Sequence, residues 1–134
     1  MADTLELEVA TPERELVREQ VSDVQVPGKN GYMGILPGHA PLLGLLGIGT
    51  LTYTVNGAKR HISVHNGFVE VLDDHVRVLA DNAERAEEID LERAKRALQK
   101  AQDAGVNPAL GVDPASALEA MSRAQARLEA AALK

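Results

Sequence analysis

Glu84-Arg85-Ala86-Glu87-Glu88-Ile89-Asp90-Leu91-Glu92-Arg93-Ala94 is the stretch at which the chain changes its periodicity. Before it, apolar residues recur at every second position, the spacing of half-buried strands. After it they recur every three or four, the spacing of helices, and turn glycines nearly vanish. A change of period inside 134 residues marks a junction between two differently built modules, residues 1–84 and residues 85–134. No catalytic motif competes with that junction as the place to look for function.

Upstream, Leu5, Leu7 and Val9 alternate with Glu6, Glu8 and Ala10, one set facing in and the other out. Thr11-Pro12-Glu13 turns the chain, and Glu15 to Glu19 can return antiparallel. Val24 and Val26 alternate until Pro27-Gly28-Lys29-Asn30-Gly31 breaks the strand. Gly49 to Val55, Lys59 to His65, Phe68 to Leu72 and His75 to Ala80 continue the pattern. Asn56-Gly57 between two such runs is a strong hairpin signal, because both residues must take positive φ. Many short strands with regular turns predict an antiparallel β-sandwich over 1–84.

Composition narrows the function. Hydrophobic and charged fractions of 45% and 25% suit one buried globular core. The only aromatics are Tyr32, Tyr53 and Phe68, and the net charge is −6. A stacking platform is hard to build from three aromatics, and the negative net charge argues further against nucleic acid. All of that −6 belongs to residues 1–84, with 6 basic and 12 acidic side chains; residues 85–134 carry 8 of each. With no cysteine there is neither a disulfide framework nor thiolate chemistry. Met1-Ala2-Asp3-Thr4 does not open a signal peptide. The greasy run Leu42 to Leu51 is too short and glycine-rich to span a bilayer. The expected protein is soluble, with no direct membrane insertion. His61 and His65 lie about 13 Å apart at strand rise, too far to share an ion, so no metal is expected. His39 has no serine or acid at motif spacing, so no catalytic residue is expected either.

Between the strands runs Gly34-Ile35-Leu36-Pro37-Gly38-His39-Ala40-Pro41-Leu42-Leu43. A plain reading makes it a bend shaped by proline and glycine. Its order, however, resembles the signature loop of the ε subunit of rotary ATP synthases, called δ in mitochondria. Asn66-Gly67-Phe68-Val69-Glu70-Val71 and Leu79-Ala80-Asp81 are similar to that family's closing strands, and the likeness runs in order from about Leu5 to Leu133. The resemblance implies a sandwich that docks on the γ subunit and on the polar loops of the c-ring. By position, Lys29, Asn30, Gly31 and Tyr32 are expected to face the c-ring. His39, Ala40, Pro41, Leu42 and Leu43 are expected to lie towards γ. An exposed apolar strip on the sandwich fits such a role.

Downstream, Asp90 is a good N-cap for a first helix whose apolar stripe is Leu91, Ala94, Leu98 and Ala101. Gly105 and Asn107-Pro108 end it. Asp113 and Pro114 start a second helix, with a stripe of Leu118, Met121, Ala124 or Gln125, Leu128 and Ala131. A short loop between two such helices predicts an antiparallel hairpin over 85–134. Alanine-rich stripes gain little by burial and isolated helices of this length are marginal. The hairpin is therefore expected to be a bistable element, docked or extended.

Arg93, Arg123 and Arg127 can converge across that hairpin. Ordinary pairing with Glu92, Glu119 and Glu129 is one reading; an anion held between the guanidiniums is the other. Ile89-Asp90-x-x-Arg93-Ala94 is similar to the ATP-binding motif of bacterial ε subunits, and Arg123-x-x-x-Arg127 to the basic pair of their second helix. The resemblance implies that Asp90 accepts from the adenine amino group, Ile89 and Ala94 flank the ring, and the arginines meet the phosphates. Glu84 aligns with a further contacting acid. Lys100 stands where the clearest nucleotide binders carry arginine. No Walker-type loop is present, so ATP is expected as a sensed regulatory ligand and no cofactor is required.

The reading is a non-catalytic ε-type subunit of a proton-translocating ATP synthase, peripheral on the cytoplasmic face of the bacterial plasma membrane. The resemblance implies that it couples γ to the c-ring and restrains ATP hydrolysis. When extended, its helices are expected to meet the α and β subunits through Arg93, Arg96, Lys100, Arg123 and Arg127. The alternative is a free-standing nucleotide-sensing adaptor with a sandwich docking domain. A small sandwich enzyme is a third.

Overall fold

The computed structural model of the chain describes residues 3–133, apart from the side chain of Pro108; the reading of Met1-Ala2 as lacking a signal peptide lies outside them. Seven strands come first: β1 (Leu5–Ala10), β2 (Glu15–Val21), β3 (Asp23–Gly28), β4 (Gly31–Ile35), β5 (Leu42–Val55), β6 (Ala58–Leu72) and β7 (His75–Arg85). A single 3-10 turn, Ala86–Glu88, leads to α1 (Leu91–Val106) and, after a second, to α2 (Pro114–Ala132). The strands form one ladder in the order β2-β1-β7-β6-β5-β3-β4, folded over as a sandwich. Every pairing is antiparallel except β1 with β7, which run parallel. The antiparallel sandwich is as expected, with that joint its one parallel pairing among the described strands. Residues so distant in sequence are joined by no hairpin, so nothing local fixes their direction.

Four of the expected strands are pieces of longer ones: Gly49 to Val55 belongs to β5, Lys59 to His65 and Phe68 to Leu72 both belong to β6, and His75 to Ala80 belongs to β7. In β6, Ile62 and Val64 face the core in the first half and Val69 and Val71 in the second. The inward face therefore changes parity between them. Asn66 at φ 60° and Gly67 at φ 122° make the change, and a Cβ on Gly67 would collide with the Leu79 carbonyl. Leu46 and Leu51 bracket the same switch in β5, and Ala80 and Ala83 in β7. Strands that turn a corner in this way pass from one layer of a sandwich to the other. β4 was hidden in sequence, because Gly31 and Gly34 erase its alternation.

The predicted turns and caps hold. Asn56 and Gly57 have φ of 50° and 80°, as a type I′ hairpin requires. Asp73 and Asp74, at 49° and 59°, make a second such turn. Asp90 caps α1 by accepting from the Arg93 amide, and Asp113 caps α2 by accepting from the Ser116 amide.

The helical stripes differ from expectation. Leu91 and Leu118, placed in them by spacing, are 42% and 63% exposed. The buried positions are Ala94 and Ala101 in α1, with Ala117, Ala124, Ala126, Ala130 and Ala131 in α2. The helices pack on each other, and α2 also packs on β5 and β6, so short side chains let the backbones approach. A small cluster of Ala86, Ile89, Ala94, Ala130 and Ala131, with Leu128 against it, ties the hairpin to the end of β7.

Candidate functional site

The parity switch decides what the hairpin sits on. Beyond it, Thr50 of β5, Ser63 of β6 and Glu84 of β7 stand side by side across the sheet, on the face away from the core. Ile48, His65 and Asn82 form the next row. A solvated sheet face is ordinarily polar, and this one is. Yet Thr50, Ser63 and His65 are buried, because α2 covers them.

At the edge of this seat, where the chain leaves β7, a cavity of about 350 Å³ opens between the linker and the two helices. Glu84, Ile89, Asp90, Arg93, Ala94 and Arg127 line it, together with Asn82, Glu88 and Ala97. Six of the eight expected nucleotide residues are thus brought together. Lys100 and Arg123 do not line the cavity. Lys100 is exposed on α1, and Arg123 pairs with Glu119 at 3.3 Å along its own helix. Arg123 thus makes the ordinary pair along its own helix.

Three carboxylates and two guanidiniums line the cavity, so it is no strongly positive pocket. Arg127 donates through Nε to Glu84 Oε1 at 2.6 Å, which leaves its terminal nitrogens for another acceptor. Among the described residues Arg93 makes no ion pair. Asp90 accepts the Arg93 amide with Oδ1 at 3.1 Å, so one carboxylate oxygen caps the helix while the second stays available.

Glu88, Asn82 and Ala97 were not anticipated. Glu88 lies inside the junction stretch but carried no pattern. It receives a two-pronged bond from Arg14 at 2.9 and 3.0 Å and also accepts the Arg85 amide at 3.1 Å. The Arg14 hydrogen bond, above all, holds its carboxyl below the usual range. Arg85 in turn donates to the Leu16 carbonyl. The linker up to Glu88 is thus clamped to β2.

Lys29 to Tyr32 line a second, open depression with Met33, Gly44 and Leu45. Tyr32 bends back from that tip: its hydroxyl accepts the Thr50 amide at 3.1 Å. A Cβ on Gly49 would come within 2.6 Å of that hydroxyl. The loop of His39, Ala40 and Pro41 is fastened to the β6–β7 turn by the Gly38 amide donating to Asp74 at 2.7 Å. Leu42 packs against the core, whereas Leu36, Leu43, Leu45 and Phe68 are exposed. Leu45 pairs with Phe68, and Leu43 with Glu70, so these apolar side chains make a strip between tip and loop.

Among the described residues no helix is long and apolar enough to cross a membrane. His61 shares a bond with Thr52 Oγ1 and His65 with Ser63 Oγ, each at 3.0 Å.

Residues 4–86 match the model of the ATP synthase delta/epsilon chain β-sandwich domain. The chain is 76% identical to the ATP synthase epsilon chain of Solibacter usitatus, over 98% of each. It is 50% identical to that of Koribacter versatilis over 76% of this chain and 72% of the relative. Among solved structures, it superposes on a chain of the Euglena gracilis mitochondrial ATP synthase OSCP/F1/c-ring structure with a TM-score of 0.84 and 27% identity, covering 98% of this chain and 83% of that one.

Proposed function

The chain belongs to the ATP synthase delta/epsilon family as an epsilon chain, and on that premise we propose that it joins γ to the c-ring of a proton-translocating enzyme and restrains ATP hydrolysis through its hairpin. It supplies no catalytic group. The strip of Leu36, Leu43, Leu45 and Phe68 is the face offered to γ, and the Lys29–Tyr32 tip is offered to the polar loops of the c-ring. The subunit is peripheral, on the cytoplasmic face of the plasma membrane. An extended hairpin presents Arg93, Arg96, Lys100, Arg123 and Arg127 to the α and β subunits.

One observation carries the regulatory part: α2 packs on β5 and β6 over a largely polar face of Thr50, Ser63 and His65, with Ile48 the large aliphatic in those rows. Leaving such a seat uncovers little that water rejects. The cavity at the hinge adds a ligand. ATP is expected to bind with its adenine amino group on the open oxygen of Asp90 and its phosphates near Arg93 and Arg127. Because Arg123 is engaged elsewhere and three acids line the cavity, the binding is expected to be weak. ATP bound only to the docked hairpin shifts it towards docking, by about 2.7 kcal/mol at 100 times its dissociation constant.

Two experiments test this. ATP hydrolysis by a complex assembled with a chain ending at Glu88 should exceed that with the full chain severalfold; equal rates sink the regulatory role. Titration of the full chain with ATP should give saturable heat, absent in an Asp90→Ala, Arg127→Ala variant. No heat in either removes the sensor and leaves the subunit role standing.

A further inference from the structure

We propose that His65 is a proton-operated latch for the hairpin: α2 stays seated while the imidazole is neutral and is released as His65 gains a proton. The proposal rests on the mobile-hairpin reading above and adds to it the signal that moves the hairpin.

His65 occupies the outer face of β6 yet is only 2% exposed. Nε2 is bonded to Ser63 Oγ at 3.0 Å, and Nδ1 is buried with no partner. A doubly protonated ring would thus hold an Nδ1–H donor with no acceptor, and a charge with no water. The surroundings oppose that charge. From α2, Arg123 and Arg127 are the cations that act on the ring. Their carboxylates are already taken, Glu119 by Arg123 and Glu84 of β7 by Arg127. Beside His65 in the ladder stand only uncharged side chains, Ile48 on β5 and Asn82 on β7. Thr50 and Ser63, one row along, are also neutral.

Burial first, and then the two arginines, push the imidazole down from 6.5 to about 4 in the docked state. When α2 leaves, both causes vanish and the ordinary value returns. The docked form therefore binds protons less readily than the open one. Neutral solution imposes no penalty on docking; the penalty begins as pH falls through 6.5 and is complete below about 4. Between pH 7.5 and 5.5 the ratio of open to docked hairpin should rise about tenfold. A falling pH on the side that holds the hairpin would thus free the helices.

Hydrogen exchange of the full chain, with the intrinsic rate divided out at each pH, measures the opening constant even where the open form is rare. The α1 and α2 amides should open about tenfold more readily at pH 5.5 than at 7.5, while amides of β1 and β6 do not change. In His65→Gln the same ratio should stay below about twofold. Hairpin amides that open with no pH dependence, or equally in His65→Gln, overturn the latch and leave the mobile hairpin intact. Hairpin amides that exchange only together with the core strands overturn both. Should the variant fail to fold, the ring resonances of His65 in the unaltered chain decide: a midpoint well below 6 supports the latch, and one near 6.5 overturns it.

Discussion

Inside the sandwich, Leu5, Leu7, Ile35, Leu51 and Ile62 fill the space between layers, almost wholly removed from water. Beneath the hairpin, α2, whose buried positions are alanines, packs on β5 and β6, where the covered face carries Thr50, Ser63 and His65 beside Ile48. Both surfaces are closed to solvent, but they differ in what is lost on opening. Separating the sandwich layers would expose large aliphatic side chains, each worth about 1.5–3 kcal/mol when buried. Lifting the hairpin exposes methyl groups on one side and groups that hydrogen-bond to water on the other. On the proposed reading, the first surface defines the fold and the second a state, which would let a single chain hold a rigid docking module and a helix pair able to leave it.

The largest test of the contrast is Leu7→Ala. Deleting a fully buried leucine side chain costs about 2–5 kcal/mol. Urea unfolding should show the sandwich losing that amount, and the hairpin melting with it, since the hairpin has no other support. A loss below 1 kcal/mol in that series, or a hairpin that outlives the sandwich, would break the contrast.

Thr50→Val should act with the opposite sign. The Thr50 hydroxyl is buried without a partner, and an unpaired buried polar group costs about 1–3 kcal/mol. Valine keeps the shape and removes the group. Hydrogen exchange of α1 and α2 should slow by about tenfold at neutral pH, with the core strands unmoved. Faster hairpin exchange would show that the polar seat holds the helices rather than loosening them.

Glu84→Gln is a smaller change at the same border. Arg127 and Glu84 keep 24% and 30% of their side-chain surface in water, so screening limits their attraction to about 1 kcal/mol. Hairpin opening should rise by several-fold at most, and less in high salt. No effect at low salt would mean that the alanine contacts alone seat α2.

How much of this the sequence shows depends on whether the signal is local. The Asn56-Gly57 turn, the alternation of Leu5, Leu7 and Val9, and the caps at Asp90 and Asp113 are short-range features, and each appears where residue type puts it. The corners of β5, β6 and β7 are not: their inward face changes partway along, so each reads as fragments or as a shapeless apolar run. Leu42 to Ile48 looked featureless because Leu43 and Leu45 face out to the apolar strip while Leu42 and Leu46 face in. Leu118 misled for a related reason. Helical spacing identifies a stripe, but only the polar seat explains why alanine rather than leucine is turned towards it. In the cavity, residues on the linker and first turn of α1 fall together because they are close in the chain. Arg123 stands outside the cavity lining, paired with a residue four positions away, and Asn82 could not be found without the strand switch.

The smallest expected effect separates the linker from the seat. Arg14, just before β2, and Glu88 of the 3-10 turn pair at 2.9 Å, with side chains 43% and 33% exposed, so their removal should cost under about 1 kcal/mol. Because Glu88 is held below its usual range, chiefly by the Arg14 hydrogen bond, the pair contributes above the ordinary carboxylate value of 4.5 and the contribution fades as falling pH protonates Glu88. Arg14→Ala and the unaltered chain should therefore differ slightly in urea midpoint at pH 7 and converge in acid. The more telling readout is the hairpin. Glu88 lies on the clamped side and Asp90 already caps α1, so the chain between them has only Ile89 in which to bend. If the hinge is there, Arg14→Ala loosens the exchange of Ala86–Glu88 and leaves α2 opening from its seat as before. If instead α2 opens faster by the same factor as the linker, the clamp and the seat are one unit, and the boundary between the permanent and the detachable surface belongs upstream of Ala86.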